Sequence, residues 1–232
     1  METDVILSIN VHEKPDFLRK QLENIRMFMK CRYKVILNCN PYMYKEVFSS
    51  DLDALLNPTI LIKDRFTGAL SHGIYSNMQY ALENFRFKYF IVLSSRNLFY
   101  QELTLAILEN KQKTPVKLSI PDYERWHWPK LIHSELAKHY LSRGKHLISS
   151  CHEGLVFHYV VCQNIHRFFE EQPYLRMDTF MFPHCMEEFA LQTISIHESS
   201  EIYGFFTINR TCETDMYVPT DPEWYVYKTI RI

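Results

Sequence analysis

Three short apolar runs fix the kind of fold this chain can adopt. Val5-Ile6-Leu7-Ser8-Ile9-Asn10-Val11, Tyr33-Lys34-Val35-Ile36-Leu37-Asn38-Cys39-Asn40 and Tyr89-Phe90-Ile91-Val92-Leu93 are rich in β-branched and aromatic residues. Runs of that length and composition read as strands buried on both faces. Segments with a helical period lie between them. Phe17, Leu18, Leu22, Ile25 and Met29 mark one face of a helix opened by Pro15-Asp16, and Leu70, Ile74, Met78, Leu82 and Phe85 mark another. Residues 44–56 predict a further helix and residues 59–62 a short strand. Strand and helix thus alternate, which implies a mainly parallel sheet with helices on both faces. Such sheets collect ligands beyond the carboxyl ends of their strands. The corner Ser94-Ser95-Arg96-Asn97 is therefore the first place to look for a site.

Residues 101–111 predict a helix and 116–120 a strand. The second half is less regular: an aromatic loop at 123–129, helices at 131–141 and 155–171, a helix start at 187–193 and a strand at 203–209. No repeat, low-complexity segment or linker divides the 232 residues. They read as a single α/β domain, 1–232, with a first half of about 1–120 and a second of about 121–232.

Composition removes several classes of function. With 26 basic and 27 acidic side chains and no block of like charge, neither nucleic acid nor an anionic membrane is expected as a main partner. No window reaches the roughly 18 to 20 apolar residues of a membrane span. The acidic start Met1-Glu2-Thr3-Asp4 lacks the basic region of a secretory signal. The expected setting is cytoplasmic, or a soluble domain of a larger protein. Six cysteines without C-x-x-C spacing read as reduced thiols. Only five glycines occur, which excludes the G-x-G-x-x-G and P-loop phosphate cradles.

Each chemically suggestive motif has a plain structural reading beside it. Asp51-Leu52-Asp53 matches the D-x-D by which many sugar-nucleotide enzymes hold a divalent metal. It also suits the acidic first turn of a helix, which is the better explanation here. Eleven histidines form no H-E-x-x-H, so no zinc site is expected. Tyr123, Trp126 and Trp128 sit in a proline-bounded loop, where aromatic side chains form platforms for sugars or simply pack the loop onto the core. Glu187-Glu188 read as the first turn of a helix, favoured by its dipole.

Four ordered segments together resemble the core-2/I-branching glycosyltransferases, the family that also contains peptide O-xylosyltransferases. The first is Ile9-Asn10-Val11-His12-Glu13-Lys14 with Phe17, Leu18 and Leu22. The second is Ala69-Leu70-Ser71-His72-Gly73 through Ala81-Leu82, followed by Tyr89-Phe90-Ile91-Val92-Leu93-Ser94-Ser95. The third is 155–169, taken as a helix, and the fourth is Glu187-Glu188 with Gln192-Thr193.

The resemblance implies a GT-A fold and transfer of a sugar from a nucleotide donor, UDP, to a glycan or glycoprotein hydroxyl. It implies an inverting displacement with Glu188 as base and Glu187 as its neighbour. A helix N-terminus is expected to lower the pKa of Glu188. Val11, His12, Lys14, Asn40, Ser94, Ser95, Arg96 and Asn97 are implied on the donor side, and Tyr123, Trp126 and Trp128 on the acceptor side. Family members usually carry an aspartate where this chain has Asn97. The diphosphate is therefore expected on basic side chains, Arg210 and Lys228, with Arg96 as a third and no metal cofactor. Two alternatives stay open. One is a transferase using Mn2+ or Mg2+ held by Asp51-Leu52-Asp53 or Glu213-Thr214-Asp215. The other is a catalytically silent module that binds a glycan or a partner.

Overall fold

A computed structural model describes residues 2–12, 14–59, 61, 67–111, 122, 124–125, 127–199, 205–214 and 223–228, with only the backbone of 205 and 210–214. The first half runs β1 (Val5–Val11), α1 (Pro15–Phe28), β2 (Tyr33–Cys39), α2 (Pro41–Phe48), β3 (Leu55–Leu56), α3 (Gly68–Asn84) and β4 (Tyr89–Ser94). It continues with β5 (Asn97–Phe99), α4 (Leu105–Lys111), α5 (Trp128–Leu131) and α6 (Glu135–Leu141). The remainder is β6 (Leu155–His158), α7 (Tyr159–Glu171), α8 (Pro173–Met181), α9 (Ala190–Glu198), β7 (Phe205–Thr207), β8 (Asn209–Thr214) and β9 (Val226–Lys228).

The main sheet has the order β3-β2-β1-β4-β6-β7. β1 pairs in parallel with β2 and with β4, and β2 with β3. β6 joins antiparallel to β4, and β7 antiparallel to β6. The protein is thus α/β with a mixed, mostly parallel sheet that takes strands from both halves of the chain. A second, three-stranded sheet has the order β5-β9-β8.

Alternation along the strands divides the interior into two cores. Val5, Leu7, Ile9 and Val11 of β1, with Tyr89, Ile91 and Leu93 of β4, face Leu18 and Ile25 of α1 and Val47 of α2. Ile6, Phe90, Val92 and Phe157 face the other way, against α3, α6, α7 and α9. Helices therefore cover both faces, as the alternation implied. α3 meets the sheet through polar atoms as well. Asn77 donates to Ser8 Oγ at 3.0 Å and accepts from Asn57 at 2.8 Å, which leaves its own amide satisfied inside the core.

Several boundaries differ from expectation, each for a local reason. The helix expected at 44–56 ends at Phe48. The Ser49 and Ser50 hydroxyls donate back to Glu46 O at 3.1 and 2.6 Å, and Asp51 adopts a φ of 47°. Thr59 lies outside any strand, while Ile60 and Ile62 lie outside the described residues. The helix expected from 101 begins at Leu105, where Thr104 Oγ1 accepts from Ile107 N at 3.2 Å. The stretch 131–141 is split because Ser134 caps α6, accepting from Ala137 N at 3.2 Å. Leu155 to His158 form a strand rather than helix, paired Phe90↔Phe157 with β4, and α7 starts only at Tyr159. A contiguous apolar run cannot be assigned by period alone. α8, β5 and β9 were not expected. The strand expected at 116–120 lies outside the described residues, as do Tyr203 and Gly204 from the strand expected at 203–209.

Cys31, Cys39, Cys162 and Cys185 are not disulfide-bonded. Cys151 departs from the expected reduced thiols, since it is disulfide-bonded. Among the described residues, no helix is long and apolar enough to cross a membrane.

Candidate functional site

The sheet has a topological switch point between β1 and β4. From β1 the chain winds outward through β2 to β3, then α3 carries it back to β4 on the other side of β1. The helices leaving the two carboxyl ends diverge at such a point and open a crevice. His12 and Ser95 stand there. His12 N donates to Ser95 Oγ at 3.3 Å, and that hydroxyl lies 3.1 Å from His12 Nδ1.

The corner after β4 is braced from beneath. Gln21 of α1, fully buried, donates to both Ser94 O and Asn97 O at 2.8 Å. One turn on, Asn24 donates to Phe99 O at 2.9 Å and accepts from Phe99 N at 2.7 Å. Asn97 is itself buried, accepting from Ser94 N at 2.6 Å and donating to Tyr227 O at 3.4 Å. Its side chain shapes the turn. Gln21 was missed by sequence reasoning because a lone glutamine on a helix otherwise reads as surface; no motif signals it.

The second sheet brings Lys228 to this corner, as the register partner of Asn97. Lys228 Nζ lies 2.6 Å from Glu153 Oε1, and His152 Nε2 lies 3.9 Å from the same oxygen. Glu153 is only 2% exposed. Burial by itself raises its pKa. Electrostatic interaction with His152 and Lys228, with hydrogen bonds from Lys228 and Ser94, outweighs that and lowers it. Sequence reasoning missed Glu153 and His152. The available signal was Gly154, one of five glycines, directly before an apolar run.

Gly154 has a φ of 78°, and an added Cβ would come within 2.5 Å of Asn209 Cβ. Its N–H donates to Val92 O at 2.7 Å and its carbonyl accepts from Ile208 N at 2.8 Å. A left-handed residue packed this closely must be glycine, and it sets Glu153 over the end of β4.

Glu187 and Glu188 lie in the turn before α9, not in its first turn, since the helix starts at Ala190. The turn is clamped to the segment before His152. Ser150 N donates to Glu188 O at 2.9 Å, and Gln192 Nε2 donates to Ser150 O at 3.1 Å and Glu187 O at 2.9 Å. Thr193 Oγ1 accepts from Ile148 N at 2.9 Å and donates to Ile148 O at 3.1 Å.

Glu187 is buried and accepts from Cys185 Sγ at 3.0 Å. Glu188 is half-buried. Its pKa is raised by burial first and by the Glu187 charge second; His152 opposes and Glu153 adds to it. The expectation of a lowered pKa is therefore reversed. The helix begins too far along the chain for its dipole to offset burial beside another carboxylate.

The remaining expected residues divide. Val11 is fully buried, so only its backbone reaches the sheet edge. Lys14 is exposed before α1, and Asn40, donating to Tyr42 Oη at 2.6 Å, ends the neighbouring strand. Arg96 sits at the apex of the corner. Arg210 lies in β8 and Tyr123 and Trp126 lie outside the described residues, as does the Arg210 side chain. Trp128 is 6% exposed and packs edge-on against Phe189 at 5.5 Å. The packing reading of that tryptophan holds, and its ring supports the Glu187-Glu188 turn from within.

No protein-family model matches the chain, and no curated protein matches it.

Asp51 and Asp53 stand elsewhere. With Arg19, Arg26, Leu52 and Tyr33 they line a shallow pocket beside α1. Tyr33 begins β2, so this pocket reaches toward the amino ends of the strands, away from the switch point. The acidic pair occupies a loop, which also removes the helix-dipole explanation for it. Asp215 lies outside the described residues. Among the described residues, no group of three or more His, Cys, Asp or Glu side chains is placed to hold a metal ion.

Proposed function

We propose that the protein is a GT-A-type glycosyltransferase, related to the core-2/I-branching family, that moves a sugar from a UDP donor to a glycan hydroxyl. The observation carrying this reading is the meeting of His12, Ser95, Lys228 and the Glu188 turn around one switch point. The amino end of α1 opens at the same edge, where a helix dipole favours anions.

In this reading the acceptor oxygen attacks the anomeric carbon as the bond to the diphosphate breaks. Glu188 takes the acceptor proton, and Lys228 offsets the charge left on the departing diphosphate. A raised pKa suits a general base, since a stronger base accepts the proton more readily. Arg210 is the second proposed cation, and the metal is dispensable. Replacing Glu188 by Gln should abolish transfer and preserve UDP binding. Transfer by that variant at the wild-type rate would remove Glu188 as base. Loss of wild-type transfer in EDTA with rescue by Mn2+ would favour the metal-dependent alternative.

One observation favours a second reading, a silent glycan-binding module. Lys228 is already paired with Glu153 in the free protein, which weakens its pull on a diphosphate. Such a module would leave UDP unbound.

A further inference from the structure

We propose that Glu153 is a positioning residue that competes with incoming anions for Lys228, so that a phosphate group binds there only against the charge of a built-in carboxylate. The location of the anion rests on the donor-site reading above; the competition itself applies to any phosphate that approaches Lys228.

The pair is built into the fold. Gly154 holds Glu153 in place through a left-handed conformation with no space for a side chain, and through backbone hydrogen bonds to Val92 and Ile208. Lys228 is held by the pairing of β9 with β5. The Glu153 carboxylate and the Lys228 ammonium meet at 2.6 Å, with the carboxylate 2% and the lysine side chain 18% exposed. The lysine is the more accessible partner, so a ligand meets the cation first and the carboxylate behind it.

A phosphate reaching Lys228 would bring its charge close to that of Glu153 in a poorly solvated corner, where like charges repel far more strongly than in water. Glu153 therefore lowers the affinity of the site for phosphates while keeping the lysine extended toward it. A purely structural salt bridge makes the opposite prediction, because removing the carboxylate would then loosen Lys228 and weaken binding.

Calorimetric titration of pyrophosphate and of UDP into the wild type, Glu153→Gln, Lys228→Met and the double variant separates the two. Glu153→Gln should bind both ligands about tenfold more tightly or better, equivalent to about 1.4 kcal/mol. The same substitution in the Lys228→Met background should change affinity less than twofold. Glu153→Ala repeats the comparison should the glutamine variant prove unfolded by circular dichroism. Equal or weaker binding by a folded Glu153 variant overturns the proposal. Tighter pyrophosphate binding with no UDP binding by any protein supports the competition and overturns the donor reading. Equal UDP binding by wild type and Glu153→Gln does the reverse, and binding of neither ligand to any protein overturns both.

Discussion

His12 and Ser95 join the carboxyl ends of β1 and β4 through one hydroxyl, which accepts from the His12 backbone at 3.3 Å and lies 3.1 Å from its ring. The two residues are 83 positions apart, and their contact ties together the loops that leave two neighbouring strands at the switch point. Ser95→Ala removes both contacts. It should cost about 1 kcal/mol, the usual net value of a hydrogen bond. Urea denaturation would show it as a lower midpoint with an unchanged slope.

Gln21 predicts a larger effect from a residue with no chemical role. Gln21→Leu keeps approximate volume but leaves Ser94 O and Asn97 O without their 2.8 Å donor. Unsatisfied buried carbonyls make the expected loss about 2 to 3 kcal/mol. Denaturant unfolding measures it. A loss below about 0.5 kcal/mol would mean that the corner stands without this brace.

Thr193→Val tests the support of the acidic turn. The change is nearly isosteric but removes both bonds to Ile148 at 2.9 and 3.1 Å. Roughly 2 kcal/mol of stability should go, because a buried N–H and C=O both lose partners. If Glu188 acts as base, transfer should fall with it; a thermal melt and a transfer assay on the same sample compare the two.

The central sheet was legible in the sequence because β1, β2 and β4 are continuous apolar runs, and their order forced a parallel arrangement. Helix and strand could not be told apart where the signal was brief. Leu155-Val156-Phe157 fits either period, and only its pairing with Phe90 and Ile91 settles it as strand. The candidate site was half legible. His12, Ser95 and Lys228 came from strand ends and resemblance. Glu153 did not, because the proximity of a carboxylate to a lysine 75 positions away is tertiary information. The raised pKa of Glu188 was hidden for the same reason, since it depends on burial and on the placement of Glu187, Glu153 and His152.

Opposite pKa shifts in neighbouring carboxylates give opposite dependences of stability on pH. Glu188 holds its proton more tightly in the folded protein. Its contribution is present below the ordinary glutamate pKa and is lost as pH rises through the raised value. Glu153 is lowered, so its contribution is present above the ordinary value and is lost as pH falls through the lowered one. Over a measured range from about pH 3 to about pH 7, Glu188→Gln should therefore gain stability relative to wild type as pH rises above the ordinary glutamate value of about 4, whereas the loss in Glu153→Gln should be full above that value and fade below it. Melting temperatures across that range measure both, and the same sign for the two variants would contradict the shifts.

The most direct test of the proposed donor site is a titration of isotopically labelled protein with UDP, followed by amide NMR. Shifts concentrated at residues 12, 94–97, 152–154 and 226–228 are expected. Shifts confined to the α1 pocket around Arg19, Asp51 and Asp53, or no shifts at millimolar UDP, would contradict a nucleotide site at the β1–β4 switch point.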